Sequence, residues 1–430
     1  MNFVKNKTLY VLTADGNYEE LADFAGELLV VKDTDIVTSG YSYEQYVAMI
    51  KNKLSTVVVG VYLLNDDESI HKDISEYVAG ISLSMNYNQG ETRNANVTLM
   101  NFKNEWSPSP VRDTLWKGTK FKIDIGLYNE GLLIWQPMGI YVLKNPTYDD
   151  EKRTVALELH DKYCLLDGSV GGKTMNTYKI NVGTTVEDAI VNTLKEDRGD
   201  GVSIDYNTPF FYTDLATTKT PYTLTKAPNS SYGDLLADLC NMIACDMYYD
   251  EYGNFTVSDG VDNDGGTNKP ILWDFDEDDM MCTQPTIEID FTSVVNWITV
   301  AGQIANGTQY SATVKNENPA SQSNISLTIP QPLYIEDKNI VGNELCEARA
   351  KWELKKQSQV GVKLNFKSAF VPHLVPNGIV TYTNKRYGWY RENFLINSIS
   401  FELTGESPSP IMSLSLSNAN EVVFNGEIGK

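Results

Sequence analysis

The sequence predicts a mainly β protein in which two β-barrel-like domains flank a small α+β module. Apolar and polar residues alternate with a period of two in many short segments, which is the pattern of half-buried strands. Aromatic residues make up 11% of the chain, with 25 tyrosines, and such residues pack well in sheets. Helical spacing of apolar residues is confined to a few segments, so helices should be a minor part of the fold.

A chain of 430 residues predicts two to four domains, at about 150 residues per domain. Residues 1–70 form an N-terminal elaboration in this interpretation, and residues 71–170 form the first β-barrel domain. Residues 171–265 form the α+β middle module. Residues 266–430 form the second β-barrel domain, which carries one packed helix.

The first part of the chain begins with a helix predicted over residues 43–53, because Tyr43, Tyr46, Val47 and Ile50 share one face. The continuous apolar run 56–64 follows and is typical of a buried strand. Further strands are predicted at 81–85, 97–100, 121–125, 139–143 and 155–159. Gly and Pro residues separate them, which favours a barrel or sandwich that ends near Leu166.

The middle module should contain two capped helices and a hairpin. Thr184 or Thr185 can cap the first helix, and the second begins at Ser231. Two short strands follow between residues 247 and 257, joined by a turn that Gly253 and Asn254 can make.

The last third of the chain carries a charged helix, predicted over residues 343–357 with Asn343 as its N-cap. Its apolar stripe should be Leu345, Ala348 and Trp352. The flanking i,i+4 ion pairs are Glu347 with Lys351 and Arg349 with Glu353.

Other segments of this last third have their own predictions. Strands are predicted at 325–329, 360–366, 394–403 and 411–416. The acidic segment 259–279 should be a linker, and the segment 316–324 a hairpin tip or loose loop.

The formal net charge of −22, from 35 basic and 57 acidic residues, disfavours sequence-specific binding to nucleic acid. An acidic channel wall past which DNA slides is compatible with this charge, as is ordinary solubility. The N-terminus lacks the features of a signal peptide, and no stretch approaches the ~18 apolar residues of a membrane span.

No segment nominates a catalytic, cofactor-binding or metal-binding residue. The five scattered cysteines suggest a protein made in a reducing cytoplasm: Cys164, Cys240, Cys245, Cys282 and Cys346. His160, Asp161 and Cys164 lie within five residues at a strand end, where a structural histidine is favoured over a catalytic pair. The acidic residues in 259–279 fail the spacing of a calcium loop, although an irregular cation site stays open.

Several motifs occur in a fixed order that resembles the baseplate hub, or tail-tip hub, proteins of tailed bacteriophages and related contractile particles. They are residues 183–190 (GTTVEDAI), 231–239 (SYGDLLADL), 249–257 (YDEYGNFTV), 348–350 (ARA), 375–380 (VPNGIV) and 411–416 (IMSLSL). The resemblance covers residues 81–416 and rests on loose spacings around a few Gly, Asp and Pro residues.

The resemblance implies a structural virion protein of the tail baseplate or tip, assembled in the host cytoplasm. Three copies would form a ring of six similar barrels that adapts a sixfold tail tube to a threefold spike and lets DNA pass during ejection. The implied partners are a tail tube or distal tail protein, a central spike or tail fibre protein, and a tape-measure protein.

Some relatives carry a peptidoglycan-cutting domain after the hub, for which the residues up to Lys430 leave no room. A non-enzymatic protein without cofactors is therefore expected. The alternative is a carbohydrate-binding or carbohydrate-cleaving β protein, which would need exposed tryptophans along a groove and two converging carboxylates.

Overall fold

A computed structural model gives the fold of the chain. It describes residues 2–5, 8–12, 18–20, 29–31, 43–51, 55–87, 90–106, 115–129, 131–199, 201–211, 217–243, 245–258, 271–276, 282–290, 294–305, 307–319, 321, 323–358, 361–404 and 410–418. The prediction of a mainly β protein with a helix-containing middle is confirmed.

The described residues of the first part of the chain form eleven strands and one α-helix. They are β1 (Asn2–Lys5), β2 (Thr8–Leu12), β3 (Tyr18–Glu20), β4 (Leu29–Val31), α1 (Tyr43–Lys51), β5 (Thr56–Leu64), β6 (Ile70–Asp73), β7 (Val78–Asn86), β8 (Arg93–Met100), β9 (Lys120–Asn129), β10 (Leu132–Asp149) and β11 (Thr154–Asp161). Antiparallel pairing gives the order β5-β9-β10-β11-β8-β7, which is called the front sheet here. β6 extends this sheet beyond β5, and the β5–β6 ladder ends where Ile74 N donates to Val61 O at 2.9 Å, four residues before β7 begins.

In the middle of the chain, the described ranges form two α-helices and five short strands. They are β12 (Tyr178–Ile180), α2 (Val186–Leu194), β13 (Phe210–Phe211), β14 (Leu224–Lys226), α3 (Tyr232–Met242), β15 (Asp246–Tyr249) and β16 (Phe255–Ser258). The predicted caps are confirmed, with Thr185 at the start of α2 and Ser231 at the start of α3. The β15–β16 hairpin is also confirmed, and Gly253 in its turn has a φ of +79°, which glycine adopts without strain.

Where the structure describes the last part of the chain, it forms nine strands and one α-helix. They are β17 (Ile271–Asp276), β18 (Cys282–Asp290), β19 (Trp297–Ala305), β20 (Thr308–Lys315), β21 (Pro332–Glu336), α4 (Asn343–Gln357), β22 (Gly361–Ala369), β23 (Ile379–Asn384), β24 (Trp389–Thr404) and β25 (Ile411–Asn418). Pairing gives the order β18-β22-β25-β24-β23-β17, called the rear sheet here, in which β17 runs parallel to β23.

The front and rear sheets are one continuous sheet. The second half of β24 pairs antiparallel with β7, from Ser398↔Asn86 to Thr404↔Gly80. Side chains from both sheets also share one hydrophobic core, in which Leu83 and Phe401 are buried. These two halves therefore fold as neighbours although the middle of the chain separates them in sequence.

A second core joins the middle module to the segment between β18 and β22. The sheet β20-β19-β21 packs on α4. The buried side chains of α4 belong to the same hydrophobic core as those of α2 and α3. The helix predicted over residues 343–357 is thus confirmed, but it packs beside the middle module. The division of the chain into four domains stays a prediction.

Two details predicted for α4 need correction. Trp352 is buried and Leu345 packs against the second core, as predicted, but Ala348 is exposed, and the buried face also carries Cys346, Ala350 and Leu354. Short side chains on this face let the helix lie close to β19, where a Cβ on Gly302 would come within 3.1 Å of Cys346 Sγ. The N-cap is Gly342, because Asn343 turns its side chain to accept a hydrogen bond from Ser311 N.

One strand predicted nearby is also wrong. Residues 325–329 form a turn, because Asn324 accepts from Ser326 N with its side chain and from Leu327 N with its carbonyl. The described residues of segment 316–324 lie in a loop, as predicted, in which Asn316 is buried and donates to the hydroxyls of Ser321 and Ser323.

The acidic segment 259–279, predicted as a linker, contains strand β17. The rest of that segment lies outside the described residues. The ion pairs predicted on α4 are confirmed, at 3.4 Å for Glu347–Lys351 and 2.7 Å for Arg349–Glu353.

Candidate assembly surface

The front and rear sheets repeat one strand order. Each strand of the front sheet has one counterpart in the rear sheet, and the counterparts occur in the same order along the chain. The corresponding strands are β5 and β17, β7 and β18, β8 and β22, β9 and β23, β10 and β24, and β11 and β25. Strands that are neighbours in the front sheet have counterparts that are neighbours in the rear sheet. The long strands β10 and β24 each carry a bulge against the strand that follows, at Leu143/Asn145 and Ile396/Ser398. The two halves differ where β17 runs parallel to its neighbour and β5 antiparallel.

One face of the continuous sheet is polar across eight neighbouring strands, from β10 through β11, β8, β7, β24, β25 and β22 to β18. Alternation places Ile81, Leu83 and Met85 in the core and turns Ser82 and Ser84 to the other side. This polar sheet face carries Ser82, Ser84, Asn94, Asn96, Thr98, Glu158, His160, Thr286, Glu288, Lys363, Asn365, Lys367, Ser398, Ser400, Glu402, Ser413 and Ser415. Hydroxyl and amide groups dominate it, and its charged residues are two lysines and three glutamates.

The polar sheet face ends at two strand edges. At one end, β18 pairs with β22 alone in the described part of the chain, and Thr286, Glu288 and Ile289 are all exposed. Ile289 points to the opposite side of β18 from Glu288, and the residues on that side of the equivalent strand β7 are buried in the core. Ile289 is nevertheless 51% exposed. At the other end, β10 continues beyond β9, because the ladder between these strands stops at Lys120↔Val142. The β10 residues after Val142 pair with β11 on one side, and in the described part of the chain no ladder covers their other side. Such edges are sites where another chain can add a strand.

A buried ion cluster joins the front sheet to the middle module. Lys162 is completely buried, and its Nζ lies 2.6 Å from Glu68 Oε1 and 2.7 Å from Asp205 Oδ1. The same ammonium donates to Gly253 O at 2.9 Å, and Lys120 Nζ binds Glu68 Oε1 at 2.8 Å. Burial alone would raise the pKa of the Glu68 carboxyl, but the two lysines outweigh it and lower that pKa below its ordinary value.

A second buried group lies next to this cluster at the end of β11. Asp161 accepts hydrogen bonds from Thr92 N at 2.7 Å and from Arg93 and Tyr163 N, both at 3.0 Å. Burial raises the pKa of Asp161 to about 6, against the lowering effect of those donors. Arg93 donates in turn to the carbonyl of Tyr249, so the hairpin β15–β16 is tied to the front sheet a second time.

The sequence carried no local signal for these buried charges. Lys120, Lys162, Glu68 and Asp205 lie far apart in the chain, and each reads as an ordinary surface residue. Their burial depends on how the middle module is placed against the front sheet. The two strand edges of the described sheet were missed for the same reason, since pairing between distant strands is not visible in a local pattern.

The histidine and cysteine considered above are not placed as a nucleophile and its base. His160 lies on the polar sheet face, with Nδ1 at 2.7 Å from Glu91 and Nε2 at 3.1 Å from Glu158. Cys164 is fully buried, and burial raises the pKa of its thiol well above the ordinary value. A thiol in that state is a weak nucleophile.

The other sites considered above carry no assembled chemistry among the described residues. No group of three or more His, Cys, Asp or Glu side chains there is placed to hold a metal ion. Trp106, Trp273 and Trp352 are buried, and Trp116 is 53% exposed, so no exposed row of tryptophans lines a groove in this part of the chain. None of the helices in the described ranges is both long and apolar enough to cross a membrane.

The sequence matches no protein-family model and no curated protein. The structure is similar to that of the tail protein from Neisseria meningitidis MC58, with a TM-score of 0.57 and 13% identity over 84% of this chain and 97% of that one. It is also similar to the 43 kDa tail protein of prophage MuSo2 from Shewanella oneidensis, with a TM-score of 0.53 and 12% identity over 84% and 98% of the two chains.

A third similar structure is the Francisella PdpA-VgrG complex, with a TM-score of 0.51 and 9% identity over 90% of this chain and 62% of that one. The fold of the chain is therefore similar to that of two tail proteins and of a chain in the PdpA-VgrG complex. The resemblance of its sequence to baseplate and tail-tip proteins is confirmed at the level of the fold.

Proposed function

We propose that this protein is the structural hub of a phage tail baseplate or tail tip, a homotrimeric ring through which DNA passes. The observation that carries the proposal is the continuous sheet, in which the front and rear halves repeat one strand order and leave an edge at each end. A unit that contains two similar halves side by side can continue the same arrangement into the next copy. Three copies then give six similar halves around one axis.

The size of the resulting opening suits a DNA channel. Eight strands of the polar sheet face in each of three copies give twenty-four strands. With strands ~4.8 Å apart and tilted by ~40°, such a barrel is roughly 45–50 Å across between backbones. Side chains narrow this opening by about 10 Å and leave a channel wide enough for a DNA duplex.

The polar sheet face suits the wall of such a channel. Its hydroxyl and amide side chains carry no charge, and its two lysines are outnumbered by three glutamates. Because counterion release by lysine and arginine provides most of the nonspecific affinity for DNA, this wall would hold the phosphate backbone weakly. The net charge of −22 adds long-range repulsion. The wall is thus mainly neutral, and the acidity of the chain lies mostly elsewhere.

In the assembled tail, the ring would contact a tail tube or distal tail protein on one side and a spike or fibre protein on the other. A tape-measure protein would occupy the channel before ejection. The role is non-enzymatic and locates the protein in the virion, after assembly in the host cytoplasm. The similar tail proteins and the sequence resemblance support this assignment.

The test is the oligomeric state of the full chain, measured by mass photometry and analytical ultracentrifugation over a concentration series. We expect a species of about 144 kDa, three times the chain mass of 48.1 kDa. Negative-stain images of that species should show a ring with a central hole and six peripheral masses. A protein that stays monomeric at every concentration, or that degrades a cell-wall polymer, would contradict the proposal.

A further inference from the structure

The way in which neighbouring copies join can be derived from the seam that already exists inside one chain. We propose that β18 of one copy pairs antiparallel with β10 of the next copy, in the register Thr147↔Glu288. This inference rests on the proposed ring and adds the strands and the register of its subunit contact. The occupant of each free edge is a second copy of the same chain.

The bulges of β10 and β24 align the two halves at one side of the seam. In the front sheet, the pair Leu143↔Leu159 is followed across the bulge by Asn145↔Glu158. In the rear sheet, the pair Ile396↔Leu416 is followed across the bulge by Ser398↔Ser415. Asn145 therefore corresponds to Ser398, and two residues further along each strand Thr147 corresponds to Ser400.

The neighbouring ladders align the other side of the seam. Glu158 pairs with Asn96, and Asn96 pairs with Ser82. At the equivalent position of the rear sheet, Ser415 pairs with Asn365, and Asn365 pairs with Thr286. Ser82 therefore corresponds to Thr286. Two residues further along β7 and β18, Ser84 corresponds to Glu288.

The internal seam then fixes the register between copies. Within one chain, β24 pairs with β7 through Ser400↔Ser84 and Glu402↔Ser82. The equivalent pairs between β10 of one copy and β18 of the next are listed in order along the strands: Asn145↔Asp290, Pro146↔Ile289, Thr147↔Glu288, Tyr148↔Ile287 and Asp149↔Thr286.

The core side of this seam explains an exposed isoleucine. In the internal seam, Ile399 lies opposite Met85, and these two side chains are 1% and 3% exposed. At the equivalent position, Ile289 is 51% exposed in the single chain. Pairing with β10 of the next copy covers Ile289 with Pro146, so the apolar face of β18 loses its contact with water.

The seam between copies should be weaker than the seam within a chain. Pro146 has no N–H, so it cannot donate the hydrogen bond that Ile399 can donate at the equivalent position. On the polar face of the seam between copies, Glu288 lies opposite the uncharged Thr147, so these two residues form no ion pair. This difference allows monomers to fold first and the ring to close afterwards.

Engineered disulfides test the register. In a Cys282→Ser background, which removes the native thiol of β18, the full chain would carry Thr147→Cys together with Glu288→Cys. Mild oxidation should link most subunits, and a closed ring gives covalent trimers on a nonreducing gel. The Ser84→Cys, Ser400→Cys variant is the matched positive control, because it places two cysteines in the same geometry within one chain and should form an internal disulfide.

The matched negative control is Asn145→Cys with Thr286→Cys, two residues that lie four positions out of register and so about 13 Å apart along the strand direction. A ring that links through Thr147 and Glu288 but not through this control supports the inference. A trimeric ring that fails to link at the matched pair, or links equally at the control, overturns the register and leaves the proposed hub intact. A protein that is monomeric throughout overturns both.

A second pair of variants avoids any dependence on cysteine chemistry. Thr147 is exposed in the single chain, so replacing it should not affect the fold. Thr147→Lys opposite Glu288 should tighten trimer formation about two- to fivefold per seam, and Thr147→Glu should weaken it by a similar factor. Both effects should shrink in high salt. If the two variants assemble equally well, the register is wrong.

Discussion

Replacing Lys162 with methionine keeps the aliphatic stem of the side chain and removes the charge from the buried ion cluster. The lysine ammonium lies 2.6 Å from Glu68 and 2.7 Å from Asp205, and it is completely buried. After the replacement, Glu68 keeps Lys120, and Asp205 keeps hydrogen bonds from Tyr249 Oη at 2.9 Å and Asn207 N at 3.0 Å. Asp205, which is 1% exposed, is left without a cation.

The expected loss of stability is about 3–5 kcal/mol, because removal of one partner leaves a buried charge that neither water nor an ion pair compensates. The loss should be local at first, since the cluster joins the hairpin β15–β16 to the front sheet. Opening of this region should become more frequent by roughly two to four orders of magnitude, at 1.4 kcal/mol per factor of ten.

Hydrogen exchange measured by mass spectrometry reports this opening directly. Peptides that cover β15 and β16 should exchange faster in Lys162→Met, while peptides that cover β22 and β25 in the rear sheet should change little. The matched control is Lys144→Met, which removes a lysine from a half-exposed pair with Glu158 at 3.4 Å. That change should cost about 0–1 kcal/mol.

The pH dependence provides a further check. The folded pKa of Glu68 is lowered, so its contribution to stability is present above the ordinary value of 4.5 and is lost as the pH falls below it. Since Lys162 is one cause of that lowering, the difference between wild type and Lys162→Met should narrow below pH 4.5. The reasoning would be refuted if the two lysine variants exchanged alike, or if the difference widened in acid.

Three further substitutions give separate expectations, each measured by urea unfolding. Ser231→Ala removes the cap that accepts a hydrogen bond from Asp234 N at 2.9 Å, and should cost about 1 kcal/mol, whereas no change would show that the cap is redundant. Leu354→Ala opens a cavity under α4 and should cost about 2–5 kcal/mol; a smaller value would mean that the site collapses. In the folded protein the pKa of Asp161 is about 6, compared with an ordinary value of 3.8 for an aspartate. The folded state therefore binds the carboxyl proton more tightly than the unfolded state, and the protein gains stability as the pH falls from 6 towards 4. Asp161→Asn should lack that gain. If the free energy of unfolding changed with pH in the same way in wild type and Asp161→Asn, this expectation would be wrong.

Local patterns predicted the elements whose physics is local. Ser231 and Thr185 were found as caps because a side-chain oxygen satisfies a nearby backbone N–H. The i,i+4 ion pairs of α4 were found because helix geometry alone brings those residues together. The alternating strands of both sheets were found because one face of a strand is buried.

Local patterns failed where tertiary contacts compete with them. Of the stripe predicted on α4, Trp352 is buried and Leu345 packs against the core, but Ala348 is exposed. The contact with β19 is made by the short side chains of Cys346 and Ala350. Residues 325–329 alternate like a strand, yet Leu327 and Ile329 are exposed in a turn that Asn324 organises. Alternation indicates a strand only where a partner strand is present.

The sequence by itself determined the β-rich class, the helix-containing middle and the resemblance to tail proteins, since periodicity, capping and motif order are properties of neighbouring residues. Only the tertiary structure decided that β7 and β24 pair, that the two halves repeat one order, and that Lys162 is buried. These features depend on contacts between residues that are far apart in the chain. Many pairings of distant strands satisfy the same local pattern, and the packing of the whole molecule selects one of them.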